Sequence, residues 1–466
     1  MSSEAHTLSD VSAEDRSSTA TPRRRVRRWE WAGLLGLGVA VALVLSLSAF
    51  DHGDDEPAAP PGAAPVGNPY EDARRAGAQA LLDEWAAAVR TGDTDSLPAL
   101  FDPNAEPGFL ESEIRRANNA AGVPFGEFAY DIGVEPETPV ASATADELGA
   151  SDVWAPTVYL RYSIAGADAQ STRKPVALLL ARHGDEWKLV SDSGVPGSDR
   201  ETWRGPWDFG PVAVRRVDGE EGRPSFVLGP TTQAPMIDLL ASEVGDAVGH
   251  VTDVWGEDWS RRAVVMVAGS QEEFSSLVGS DHSGADIAAV AVSDAVDRRS
   301  RTASGQRIVF SPESAGRLTD LTRVSVLRHE LTHIAARPVT EDGSPMWMLE
   351  GYADYVGYRG IEAQFGQLAP TLAADVAKSG PPSRLPVDGD FRGGGDTARL
   401  AYESSWSLAT FIASQYGEGQ LGALYRELAR GPVADAELDR RIRSVLGVGT
   451  DELVHAWGVW VKEQLS

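Results

Sequence analysis

The stretch Val326-Leu327-Arg328-His329-Glu330-Leu331-Thr332-His333 sets two histidines four positions apart with a glutamate between them. On a helix that spacing is a rotation of about 40°, so both imidazoles leave the same face one turn apart. Two nitrogens held this way suit tetrahedral zinc, whose catalytic sites take three protein ligands and keep the fourth position for water. Glu330 sits where a carboxylate reaches a water beside the metal and takes its proton as general base. A chain with eight histidines in 466 residues meets this pattern by chance on the order of once in a hundred. The competing reading is a helix with two solvated or core-satisfied histidines, and a third ligand decides between them.

Pro338 ends the first helix, and Ser344-Pro345 is a start signal for another. On that second helix Glu350 and Asp354 are again four apart and share a face. Glu350 is placed to coordinate a metal. Asp354 is placed to accept the N–H of His329, which fixes its tautomer and raises its basicity. Metzincin spacing needs glycine at 336 and histidine at 339; the chain has Ala336 and Val339, so that class is excluded. The absence of cysteine removes disulfides, thiolate zinc sites and a cysteine nucleophile together.

His329-Glu330-Leu331-Thr332-His333 followed by Glu350-Gly351-Tyr352-Ala353-Asp354 resembles the gluzincin metallopeptidases, of which thermolysin is the best known. The helix Trp347 to Tyr355 is similar to the W-x-x-E-G-x-A-x-Y helix of their minimal, peptidase MA-like subgroup. The resemblance covers roughly residues 225–430. It implies Zn2+ held by His329, His333 and Glu350, with Glu330 as base and Asp354 behind His329. It also implies an oxyanion donor, a contribution of several kcal/mol to such transition states. Tyr402, in "LAYESSWSLATFIASQYG", stands where the subgroup often begins a helix with tyrosine; a packing role is the alternative. His282 in the "GSDHSG" loop is a rival donor, while His250 and His455 fall in helical patterns as structural or surface residues. "DIAAVAV" or "RIVFSP" would be the edge strand that takes a peptide by strand addition. The aminopeptidase branch carries Gly-x-Met-Glu-Asn, and none of the five methionines here precedes a glutamate, which favours an endopeptidase.

Residues 31–50, "WAGLLGLGVAVALVLSLSAF", form an uncharged run of the length a helix needs to cross roughly 30 Å of hydrocarbon. Five arginines lie just before it and "DHGDDE" follows, so the N-terminus is expected in the cytoplasm and the remainder outside. The run exceeds the 7–15 apolar residues typical of a signal peptide. An uncleaved, single-pass anchor in the cell membrane over 29–50 is therefore expected, with cleavage near "SLSAF" as the alternative. Residues 1–28 read as a disordered cytoplasmic tail and 51–69 as a Pro/Ala-rich linker. A net charge of −27 argues against nucleic acid as a partner.

The expected fold class is α+β. Residues 70–200 show helices and then antiparallel strands, an order that resembles the nuclear-transport-factor-2-like cone, and they read as a spacer or substrate-presenting domain. Their first helix is expected to bury Ala80, Leu81, Trp85 and Val89. Residues 205–466 are expected to form a zincin-like domain, with a small mixed sheet followed by a mainly helical half. The resulting expectation is a membrane-anchored zinc metallopeptidase acting on a peptide or protein. A zincin fold retained as a non-catalytic binding module, and a hydrolase of a non-peptide amide, are the alternatives.

Overall fold

The computed structural model describes residues 68–195, 198–279 and 287–466. The expected tail and anchor, and all but the end of the linker, lie outside them. Among the described residues no helix is long and apolar enough to cross a membrane.

Helix α1 (Pro69–Thr91) starts where the Asn68 side chain accepts the Tyr70 N–H, and ends at Gly92, whose φ of 70° suits glycine. Leu81, Trp85 and Val89 are buried as the spacing predicts, together with Ala78 and Leu82. Ala80 instead faces solvent, one step off the stripe. Helix α2 (Phe109–Ala120) and strands β1 (Phe125–Ile132), β2 (Asp152–Trp154), β3 (Thr157–Ile164), β4 (Thr172–Ala177), β5 (Leu179–His183) and β6 (Glu186–Ser191) follow. They form two three-stranded antiparallel sheets, ordered β1-β3-β4 and β2-β5-β6. The run "KPVALLLARHG" supplies both β4 and β5, broken at Leu178.

The interior of this upstream unit is filled by aromatic rings and charges. Trp85 stacks on Tyr130 at 4.0 Å and donates its indole N–H to Glu113 over 2.7 Å. Arg116 bridges Glu113, Tyr130 and Asp208. Trp207, from the one-turn helix α3 (Pro206–Phe209), is wholly buried edge-on against Phe125, Phe128 and Tyr162.

Strands β7 (Val212–Val217), β8 (Ser225–Pro230), β9 (Val264–Val267), β10 (Ala289–Val292) and β13 (Arg307–Phe310) form a mixed sheet ordered β10-β13-β9-β8-β7. The two inner pairings are parallel and the two outer ones antiparallel. β10 and β13 pair antiparallel as a hairpin, and a two-stranded ribbon, β11 (Ala295–Asp297) with β12 (Thr302–Ser304), occupies the connection. Successive residues point to opposite faces of a strand. Val227, Val265, Ala291 and Ile308 share a core with helix α4 (Ala234–Trp255) and the helical half. Phe226, Leu228, Met266, Val290 and Val309 share one with Trp85, Tyr130 and Trp207. The upstream residues therefore cover the second face of this sheet, which a spacer held apart from it would leave bare.

From Ser311 onward the described chain is helical apart from its connections, as the sequence predicts. Helix α5 (Gln271–Val278) precedes this half, and α6 (Asp320–Ala336), α7 (Met346–Tyr358), α8 (Gly395–Tyr416), α9 (Glu418–Leu428), α10 (Asp435–Leu446) and α11 (Thr450–Gln464) build it. The glycine- and proline-rich stretch 379–396 includes one further turn, Asp388–Phe391.

Candidate metal centre

Helix α6 begins at Thr319, whose hydroxyl accepts the Thr322 N–H while Thr322 Oγ1 accepts the Thr319 N–H. This reciprocal cap satisfies two donors that a helix start leaves open. Leu327 and Leu331 then anchor the helix in the core while His329, Glu330 and His333 lie buried beside them. Pro338 falls in a 3-10 turn, Arg337–Val339, and the chain reverses into α7 at Pro345. There Asp388 Oδ1 accepts the Met346 N–H at 3.0 Å. The two helices cross closely: a methyl on Gly357 would stand 2.9 Å from the Ser325 carbonyl oxygen.

This crossing brings the four spaced residues together. His329 Nε2 lies 2.9 Å from His333 Nε2 and 3.3 Å from Glu350 Oε2, and His333 Nε2 lies 3.7 Å from the same oxygen. The three ligand atoms all fall within 4.8 Å of one another. His329 Nδ1–H donates to Asp354 Oδ1 over 2.8 Å. That bond leaves the Nε2 lone pair of His329 directed at the other donors.

The donors fit a divalent cation. Glu330 and Glu350 are wholly buried, and among the described residues none of their four carboxylate oxygens closes a hydrogen bond. Uncompensated buried carboxylates cost several kcal/mol each, roughly, and a cation among two imidazoles and Glu350 removes much of that cost. Two imidazoles and one carboxylate form a donor set suited to zinc with an open position. Burial opposes charge on His329, but Asp354 and Glu350 outweigh it and push its pKa well above the usual imidazole range. Burial likewise works against a charged Glu350, yet the facing imidazoles of His333 and His329 hold it down at about 2. Burial pushes Glu330 up to about 8, with the charges of Glu350 and Asp354 adding to the rise and His329 opposing it.

Tyr402 sits within the same field. Burial raises its phenol well above 10.0, and the charges of Glu350, Asp354 and Glu330 add to the rise. Phe391 packs edge-on against its ring at 5.1 Å. His250 lies on α4, where its Nε2–H donates to Val356 O of α7 at 3.0 Å, and His455 is exposed on α11. His282 lies outside the described residues. The sequence reading did not foresee the Ala291 amide of β10, whose dipole acts on Glu330. No side-chain pattern signals a backbone group.

Residues 317–463 match the family model described as "Peptidase MA superfamily". This segment is a peptidase MA superfamily domain. It is of the gluzincin metallopeptidase type, and zinc is the cofactor its donor set fits. The match begins three residues before α6 and leaves the five-stranded sheet outside it. No curated protein matches the chain. Among solved structures, a Deinococcus radiodurans M1 zinc metallopeptidase mutant is similar at 14% identity and a TM-score of 0.33, over 60% of this chain and 58% of its own. Native yeast LTA4 hydrolase is similar at 10% identity and a TM-score of 0.32, over 71% of this chain and 59% of its own. The chain thus spans less than two thirds of those proteins. The family match and the geometry of His329, His333 and Glu350 agree. That match does not extend to residues 70–200, where the nuclear-transport-factor-2 resemblance remains an expectation.

Proposed function

We propose that the chain is a membrane-anchored zinc metallopeptidase that cleaves peptide bonds within extended segments of peptide or protein substrates. The observation that carries this reading is Glu330, a fully buried carboxylate without a hydrogen-bond partner among the described residues, one residue along the chain from His329. His329, His333 and Glu350 would hold the metal, and Asp354 would fix the tautomer of His329. Zinc bound there supplies Lewis acidity toward a carbonyl oxygen and a more acidic water.

Glu330 takes the proton of the attacking water and returns it to the departing amine. Burial raises its pKa and a cation at the three donors opposes that rise, so Glu330 is placed to hold the proton between the two transfers. The Tyr402 hydroxyl, kept protonated by burial and neighbouring carboxylates, donates a hydrogen bond to the oxygen where negative charge develops. Endopeptidase action is favoured by the lack of a Gly-x-Met-Glu-Asn stretch. Anchoring, with the catalytic part outside the cytoplasm, is favoured by the apolar run 31–50 and the arginines before it.

The test uses the full chain in detergent, wild type and Glu330→Gln, with metal analysis and a peptide-library digest. Wild type is expected to hold one zinc and to cleave, and the variant to hold zinc and not cleave. Full activity in the variant, or a wild type free of metal, would overturn the reading. Zinc without cleavage in wild type would favour a binding module.

A further inference from the structure

We infer that two ion pairs from the upstream unit, Asp168 with Arg307 and Lys174 with Asp294, position the edge strand beside Glu330 and thereby set the grip on extended substrates. The inference rests on the peptidase reading. Strand β10 is four residues long and ends the sheet, and among the described residues β13 is the one strand that pairs with it. Helix α6, which carries Glu330, packs directly on β10, with Ala289 and Ala291 in the same core as Leu327 and Leu331. A short edge strand with one neighbour has little of its own to fix its position.

The upstream unit holds both strands of this hairpin. Arg307 begins β13 opposite Val292, the last residue of β10. Its guanidinium forms two parallel bonds to Asp168, each 2.7 Å, with both side chains less than a tenth exposed. Asp168 is itself fixed, because its Oδ2 accepts the Ile164 N–H at 2.7 Å. Two residues beyond β10, Asp294 accepts bonds from Lys174 and Thr172, both on β4. The Asp294 N–H donates to Ser304 O across the ribbon at 3.0 Å. Gly305, at φ 62°, leaves space for that carboxylate, which any Cβ there would strike.

Buried ion pairs contribute little net stability but impose register, because their geometry is satisfied in one arrangement only. Val290, Val292 and Val309 already bury the upstream face of the hairpin. Apolar contact alone permits sliding, and the two pairs remove that freedom along the strand direction.

The test compares full-length wild type with Asp168→Asn, Lys174→Met and Lys174→Arg. Amide exchange at residues 289–292 is read beside zinc content, thermal stability and kinetics on long and short peptides. The first two variants are expected to exchange faster at β10 and to raise KM for long peptides by ~2–30-fold. Their kcat, zinc content and KM for dipeptide-length substrates should stay near wild type, and Lys174→Arg should restore the wild-type KM. Unchanged exchange or KM in these variants of an active wild type would overturn the inference. So would equal losses on long and short peptides, which mark a merely structural role. A wild type that neither holds zinc nor cleaves would overturn the peptidase reading instead.

Discussion

A methyl group placed on Gly351 would stand 2.5 Å from the carbonyl oxygen of Ser405, so α7 and α8 cross with backbone against backbone beside Glu350. A carbonyl in the middle of a buried helix cannot retreat. Gly351→Ala gains about 1 kcal/mol of helix propensity but incurs roughly 1–3 kcal/mol of overpacking. Because the displaced residue adjoins Glu350, the expected outcome is a lower denaturation midpoint together with weaker zinc binding. Urea unfolding and a zinc titration on the same sample check both.

Asp354 makes its contact through His329, with 2.8 Å between Oδ1 and Nδ1. Removing the acceptor in Asp354→Ala frees the ring to rotate and lowers its basicity. Zinc affinity is expected to fall about 10–100-fold, with the helical content unchanged. Competition with a chromophoric chelator measures the first, and circular dichroism the second.

Tyr402→Phe removes a hydroxyl and keeps the ring that Phe391 packs against. If the hydroxyl meets charge only as the carbonyl becomes tetrahedral, kcat should fall by about 10²–10³ with KM nearly unchanged. Zinc content should match wild type. A wild-type kcat would assign the tyrosine to packing.

His250 gives stability a pH dependence of known sign. Burial first, then the positive charges of Arg328 and Arg359, depress its pKa from 6.5 to about 4, while Val356 O and Asp253 oppose the shift. Between those two values the unfolded chain binds the proton and the folded chain does not. Its contribution is therefore complete above 6.5 and is lost as pH falls toward 4. His250→Gln, which retains a donor for Val356 O, should show a shallower loss of stability over that window. Denaturant midpoints at several pH values, compared with wild type, test the difference.

The sites of chemistry were legible because they depend on spacing along helices. His329 and His333, then Glu350 and Asp354, follow from a period of 3.6 and a reversal at Pro338. The strands β7 to β10 and β13 were legible as apolar runs between turn residues. Helix α2 was not, because its inner face carries Glu113 and Arg116, which satisfy each other and Trp85 in the core. A charged stripe reads as solvent-facing until its partners are known. β1 was hidden for a related reason, since Gly126 and Glu127 interrupt its alternation. The packing of the upstream unit on the sheet was equally hidden. Ala289 and Ala291 on one face and Val290 and Val292 on the other show only that both faces of β10 are apolar, and not which part of the chain covers each.

That shared sheet bears on where this protein can be divided. The boundary at which the family is recognised, Arg317, falls between α6 and the strand it packs against, and the strand's other face belongs to residues before 210. A fragment cut at that boundary would carry all three metal donors and the general base. It would have no floor beneath them, since Leu327 and Leu331 would lose Val265 and Ile308. For this chain the smallest inheritable piece of the chemistry is far shorter than the smallest piece that can stand alone.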